Sequence, residues 1–215
     1  MASSSQTVSA AAAGPVKLGP AFSARNSLLQ ARRALDELLS GPAVVAGVDH
    51  LITTATAPLR AGGTLLCCGN GGSACDAMHF VEELTGRFRG DRPPIPALAC
   101  SDVGHITCTA NDYGFEEVFS RWVTALGRPG DLLIVLSTSG NSPNVVRAVE
   151  AAHAKGMKTA ALLGKSGGQL AGRCTVEVVV PGATADRIQE LHMLILHTVV
   201  EGIEVGLGYA PPPSA

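Results

Sequence analysis

Apolar residues recur at helical spacing in two stretches near the start of the chain, Phe22 to Leu39 and Pro42 to Ala61, and predict two helices back to back. After Gly62-Gly63 the pattern changes to short, almost continuous apolar runs separated by amphipathic segments. Five runs stand out: Thr64 to Cys68, Ile95 to Cys100, Leu132 to Leu136, Thr159 to Leu163 and Val176 to Val180. Near-continuous apolar character marks strands covered on both faces, and helix-like segments between them imply right-handed parallel crossovers. The expected architecture is α/β: a doubly wound, five-stranded parallel sheet, preceded by an N-terminal helical hairpin and closed by a long C-terminal helix from Ala185 to Leu207. Ligands of such sheets bind beyond the carboxyl ends of the strands, so the chemistry is sought directly after each apolar run.

Composition narrows the partners. With 215 residues, 46% hydrophobic and 16% charged, the chain can bury a sizeable core as one domain. Residues 22–209 are read as that domain, 1–21 as a disordered tail and 210–215 as a Pro-rich tail. Met1 to Leu35 is rich in Ser and Ala, carries Lys17, Arg25, Arg32 and Arg33, and lacks acidic residues. That is the composition of a transit peptide, but a tail running into an ordinary helix explains it more simply. A net charge of -2 gives no global reason to expect nucleic acid or an anionic membrane surface as partner. No apolar run reaches the roughly 18 residues of a spanning helix, so no membrane partner is expected either. The six cysteines form no CxxC pair, which suits reduced thiols in a cytoplasmic enzyme; most are expected to be buried, with Cys75 the exception.

Two loops carry the strongest chemical signal. The first run ends in Gly69-Asn70-Gly71-Gly72-Ser73 and leads straight into an amphipathic helix, where exposed N–H groups and the helix dipole favour an anion. The third ends in Ser137-Thr138-Ser139-Gly140-Asn141-Ser142-Pro143, with four hydroxyls and a proline suited to a first helical turn. This second loop contains neither Lys nor Arg, which points to phosphate held by hydroxyls and backbone amides, not to a nucleotide P-loop. A single loop of this kind is also what an ordinary capped turn looks like; two at strand ends of one sheet are more specific. On the helix after the first loop, His79 and Glu83 are one turn apart on one face, the spacing of a base or a metal ligand; in isolation such a pair is more often a solvated surface pair, and its place after a phosphate-type loop is what favours the chemical reading. Glu82 lies about 100° around the helix, so at most one of the two glutamates is expected to share the His79 face. The last helix begins Asp186-Arg187-Ile188-Gln189-Glu190 and then becomes strongly apolar, and His197 in that stripe reads first as a core histidine.

The run Cys68-Gly-Asn-Gly-Gly-Ser-Ala-Cys-Asp-Ala-Met-His-Phe-Val-Glu-Glu-Leu-Thr-Gly-Arg87 resembles the signature of bacterial phosphoheptose isomerases, members of the sugar isomerase (SIS) domain superfamily. The similarity extends through Ala110 to Gly114, Leu136 to Ser142, Gly164 to Gly168 and Asp186 to Glu190. The resemblance implies an SIS fold and the isomerisation of sedoheptulose 7-phosphate to D-glycero-D-manno-heptose 7-phosphate, the first step of ADP-heptose or GDP-heptose biosynthesis. It implies that Glu83 moves the proton between C1 and C2, and that His197 is the acid/base partner at the sugar oxygens. The phosphate would be held by Gly71, Gly72 and Ser73 together with Ser137, Thr138, Ser139 and Ser142. Asn70, Arg87, Asn111, Asp112, Asp186 and Gln189 would contact or frame the open-chain sugar. Some relatives bind zinc through residues matching His79, Glu83, Gln189 and His197, which implies one Zn2+ per subunit; the family is also tetrameric, with sites at subunit boundaries. Gln189 and His197 lie eight residues apart, a rise of about 12 Å along one helix, too far for an easy shared ion from a single copy.

The parts suit the reaction. Ketose–aldose exchange through a cis-enediol needs a carboxylate to take a carbon-bound proton and a second group at the oxygens, with phosphate capture supplying binding energy away from the reacting carbons. The main rival is a non-catalytic SIS regulator that binds a replication initiator protein; such regulators lack the residues matching Glu83 and His197. Another SIS enzyme of amino-sugar phosphates is the second rival, and it usually brings extra domains or a tandem repeat that this chain does not show.

Overall fold

The computed structural model describes residues 22–210. The expected tail 1–21 lies outside the described residues, as does all of the Pro-rich end except Ala210. Helix α1 (Ala24–Ser40) starts two residues later than the apolar pattern suggests, because the Ser23 hydroxyl accepts from the Asn26 N–H and caps it. Gly41 ends it, and Pro42 opens α2 (Pro42–Arg60), where a missing N–H costs nothing.

The sheet comprises β1 (Leu65–Gly69), β2 (Ala97–Ala99), β3 (Leu132–Ser137), β4 (Lys158–Gly164) and β5 (Val176–Val180). All pairings are parallel and the order is β2-β1-β3-β4-β5. The second strand is shorter than the apolar run from Ile95 to Cys100, since Pro96 has no N–H to give the ladder and confines pairing to three residues. Helix α3 (Gly72–Thr85) follows β1, α4 (Val103–Tyr113) and α5 (Val118–Leu126) lie between β2 and β3, α6 (Pro143–Ala154) follows β3, and α7 (Ala185–Gly206) ends the fold.

Two cores flank the sheet. Leu65, Cys67, Ile134, Leu136, Leu162 and Val178 point to one side and pack with α1, α2, α3 and α7. Leu66, Cys68, Leu133, Val135, Ala161 and Leu163 point to the other, against α5 and α6. Buried on both faces, β1, β3 and β4 read as unbroken apolar runs, whereas the edge strand β5 alternates. No single helix among the described residues is long and apolar enough to cross a membrane. All six cysteines are free thiols; Cys75 is exposed as expected, but Cys108 is too, on the outer face of α4.

Candidate active site

The strand order reverses beside β1, whose chain partner β2 lies on one side while β3 lies on the other. A crevice opens at such a switch point, and the loops leaving β1 and β3 are the two phosphate-type loops of the sequence. They are tied together: the Asn70 amide donates to Asn144 Oδ1 at 2.8 Å, and the Asn144 amide returns the bond to Asn70 Oδ1 at 2.9 Å. Gly71 caps α3 with φ +56, a conformation that suits glycine.

The hydroxyl cluster divides into two kinds. Ser137 is buried and its Oγ accepts from the Gly140 N–H, while Ser139 Oγ accepts from the Asn141 N–H, so both shape the turn. Thr138 and Ser142 are half-buried and make no side-chain hydrogen bond among the described residues, which leaves their hydroxyls available to an anion. At the start of α3, Ser73 is buried and meets the Gln189 amide at 3.5 Å. A Cβ at Gly72 would come within 2.6 Å of that same amide, so glycine here is what lets α7 approach.

Two turns further along the same helix pair lies the titratable cluster. Glu83 Oε1 stands 3.4 Å from His79 Nε2 and 3.2 Å from His197 Nε2, so it bridges α3 and α7. Phe88 stacks on the His197 ring at 5.9 Å between centroids, and His79 meets that ring edge-on at 5.2 Å. The glutamate is 9% exposed, while the His79 and His197 side chains are 47% and 37% exposed. Both glutamates reach His79, since Glu82 Oε1 lies 4.0 Å away, but Glu82 remains in solvent and Glu83 alone turns inward. The core histidine of α7 is His192, fully buried, and not His197, which the apolar stripe had suggested.

Burial raises the Glu83 pKa above the ordinary carboxylate range; His197 and His79 oppose this, and Glu82 and Glu204 add to it. Its second oxygen, Oε2, is buried without a hydrogen-bond partner among the described residues. A desolvated carboxylate with an uncommitted oxygen holds a proton more tightly than one in water, which is what proton abstraction from carbon requires. The donor atoms of His79, Glu83 and His197 all lie within 4.8 Å of one another. Two imidazoles and a carboxylate with a spare oxygen fit a catalytic zinc site, which takes three protein ligands and leaves a position open. Gln189 does not join them within this chain, because its amide rests on Ser73 two turns before His197.

The remaining predicted residues stand apart. Asp186 is exposed and pairs with Arg187 at 3.3 Å, and the Thr184 hydroxyl lowers its pKa. The Asn111 amide donates to Asp112, at 2.7 Å, and to no other group among the described residues, and both are exposed at the end of α4. Arg87 is exposed and hydrogen-bonds to neither cluster among the described residues. Three residues that matter escaped the sequence: Asn144, Phe88 and Arg92. Only Asn144 carried a signal, directly after the Ser-Pro that opens α6.

A family model described as SIS domain matches residues 41–164. The phosphoheptose isomerase of Fusobacterium nucleatum is 60% identical over 143 residues, covering 66% of this chain and 74% of that protein. That of Escherichia coli is 50% identical over 181 residues, 84% of this chain and 94% of the relative. Among solved structures, the phosphoheptose isomerase of Neisseria gonorrhoeae superposes with a TM-score of 0.79 at 39% identity, over 84% of this chain and 96% of that one.

Proposed function

This chain belongs to the SIS domain family and, within it, to the phosphoheptose isomerases, and we propose that it interconverts sedoheptulose 7-phosphate and D-glycero-D-manno-heptose 7-phosphate through an enediol. The observation that carries the reading is the 3.2 Å contact between Glu83 and His197, made in the helix pair that also bears the first phosphate-type loop. Non-catalytic SIS regulators lack both side chains, and here the two face each other.

The phosphate rests on the amides of Gly71, Gly72 and Ser73 and on the free hydroxyls of Thr138 and Ser142, with Ser137 and Ser139 holding the second loop in shape. The sugar then runs along the groove between α3 and α7 toward Glu83. Glu83 takes the proton from C1 of the ketose, leaving the enediol, and returns it to C2 to give the aldose. His197 moves the hydroxyl proton between O2 and O1, so that neither oxygen carries a full charge in the transition state. Asn70, Arg87, Asn111, Asp112, Asp186 and Gln189 frame the chain hydroxyls, those far from the cluster acting at the mouth or from a neighbouring subunit.

His79, Glu83 and His197 would hold one zinc ion per subunit, which when bound polarises the sugar carbonyl. The 12 Å rise between Gln189 and His197 makes another subunit the source of any Gln189 ligand. A homotetramer accounts for such sharing and for exposed apolar side chains on the outer helices, among them Val103, Tyr113 and Phe115. Free thiols and the phosphorylated substrate suit the cytoplasm. The test is to incubate the pure protein with sedoheptulose 7-phosphate in D2O and follow aldose formation and deuterium at the exchanging carbon by NMR. Absence of both would refute the assignment.

A further inference from the structure

The loop from α3 to β2 sends one side chain back into the interior. The Arg92 side chain is 2% exposed, although the residue follows Gly90-Asp91 and precedes Pro93-Pro94 in an otherwise open loop. Its Nε–H donates to Glu204 Oε1 at 2.8 Å, and Glu204 is itself 5% exposed. Its Nη2 donates to the Glu83 carbonyl at 2.5 Å and its Nη1 to the Leu84 carbonyl at 2.7 Å, with Pro93 O at 3.2 Å and Gly86 O at 3.5 Å beyond. The last four carbonyls of a helix lack intrahelical partners. In α3 the first of these goes to the Gly86 N–H, the second, of Glu83, goes to this guanidinium, and the third, of Leu84, is shared between the guanidinium and the Ile95 N–H.

We propose that Arg92 and Glu204 are positioning residues for the isomerisation, a buried clamp that sets the backbone of Glu83 against α7 and so the base against His197. Glu204 follows His197 by seven residues, two turns on the same face. Its own carbonyl receives the Tyr209 and Ala210 N–H groups, which anchors the end of α7. The path from base to partner is therefore closed: Glu83 backbone, Arg92 fork, Glu204 carboxylate, α7, His197, and back to Glu83 at 3.2 Å. Packing alone does not call for charges here. Burying an ion pair is no more stabilising than an apolar pair of the same volume, and often less. What a guanidinium offers is a planar fork that engages two carbonyls on one helix and a carboxylate on another at once, which neither Lys nor an apolar residue reproduces. A displacement of about 1 Å at reacting atoms can cost roughly 100-fold in rate, so a rigid tie at the base has a catalytic consequence.

This inference rests on the isomerase reading. Its test is the steady-state kinetics, thermal stability and crystal structure of Arg92→Lys, Glu204→Gln and the apolar double variant Arg92→Met/Glu204→Leu. Because the phosphate loops sit at the other end of α3, about 15 Å from Glu83, the clamp should act on kcat and leave KM for sedoheptulose 7-phosphate within about threefold. We expect the double variant to fold, with a melting temperature below wild type because the Glu83 carbonyl loses its donor, and to lose about 10- to 100-fold in kcat. Glu204→Gln, which keeps an acceptor for the Arg92 Nε–H, should lose least. In the variant crystal structures the Glu83 to His197 separation should exceed 3.2 Å. A folded double variant with kcat within twofold of wild type would overturn the clamp, as would KM rising as much as kcat falls. If the double variant does not fold, Arg92→Lys decides on the same criteria. A wild-type protein inert toward the substrate would sink the isomerase reading alone, and the Glu83 to His197 separation would still judge the clamp.

Discussion

His192 gives the structure's sharpest quantitative consequence. Its ring is fully buried in α7, and Nε2 lies 3.2 Å from the Leu163 carbonyl at the end of β4. A carbonyl only accepts, so Nε2 carries the hydrogen and Nδ1 presents a bare lone pair, which has no partner among the described residues. Protonation would place a charge and an unmatched N–H in the core. Burial accordingly pushes the pKa down from 6.5 to about 4, with the Leu163 bond opposing weakly. The folded state stays neutral where the unfolded state takes up a proton, so stability is fully present above pH 6.5, falls as pH drops through the interval, and stops falling near pH 4. At 1.36 kcal/mol per pH unit the loss is about 3 kcal/mol. Asp76 and Glu83, whose pKa values burial raises, act with the opposite sign, since the folded state protonates them first as pH falls. Comparison with His192→Gln isolates the histidine, because the amide can still donate to Leu163 and does not titrate. Urea unfolding of both proteins at fixed protein concentration between pH 7 and pH 4 should show the wild type's relative stability falling by about 3 kcal/mol. A difference constant to within about 0.5 kcal/mol would refute the buried neutral ring.

Four other outcomes follow from the site. Glu83→Gln should keep the fold and cut turnover by about 1,000-fold or more, since an amide accepts no proton from carbon; Glu82→Gln, in solvent, should stay within a few fold, and the reverse order in a coupled assay would reassign the base. Thr138→Ala with Ser142→Ala should raise KM about 100-fold or more, as two bonds to a charged phosphate are lost at about 1.5–3 kcal/mol each. Rates with the non-phosphorylated ketose should not change, and an equal effect on both substrates would place the phosphate elsewhere. Ser137→Ala should cost about 1 kcal/mol of stability in addition, because the Gly140 N–H loses its acceptor, as a melting curve will show. His79→Ala should abolish zinc retention in metal analysis after dialysis while leaving the Glu83 to His197 contact in place; zinc kept at full occupancy would exclude His79 as a ligand.

Much of the molecule was legible along the chain. Strands buried on both faces must be apolar at every position, so β1, β3 and β4 declared themselves, and the edge strand β5 shared enough of that character to be found. The phosphate-type loops were visible because glycine and hydroxyl side chains mark both a tight turn and an anion site, and a local signal survives in linear order. The pairing of His79 with Glu83 was a matter of helical period alone. Tertiary packing decided the rest. That Glu83 turns inward and Glu82 outward depends on α7 lying against α3, and the glycine that permits this approach is 117 residues from the glutamine it meets. The same packing exposed His197 to the site and buried His192, a reversal that no count of apolar neighbours along α7 foretold. Arg92 is the extreme case: a loop arginine among Gly, Asp and Pro has the composition of solvent-exposed chain. Its partners are two helix-end carbonyls and a carboxylate 112 residues away, groups that become neighbours only once both helices have docked on the sheet.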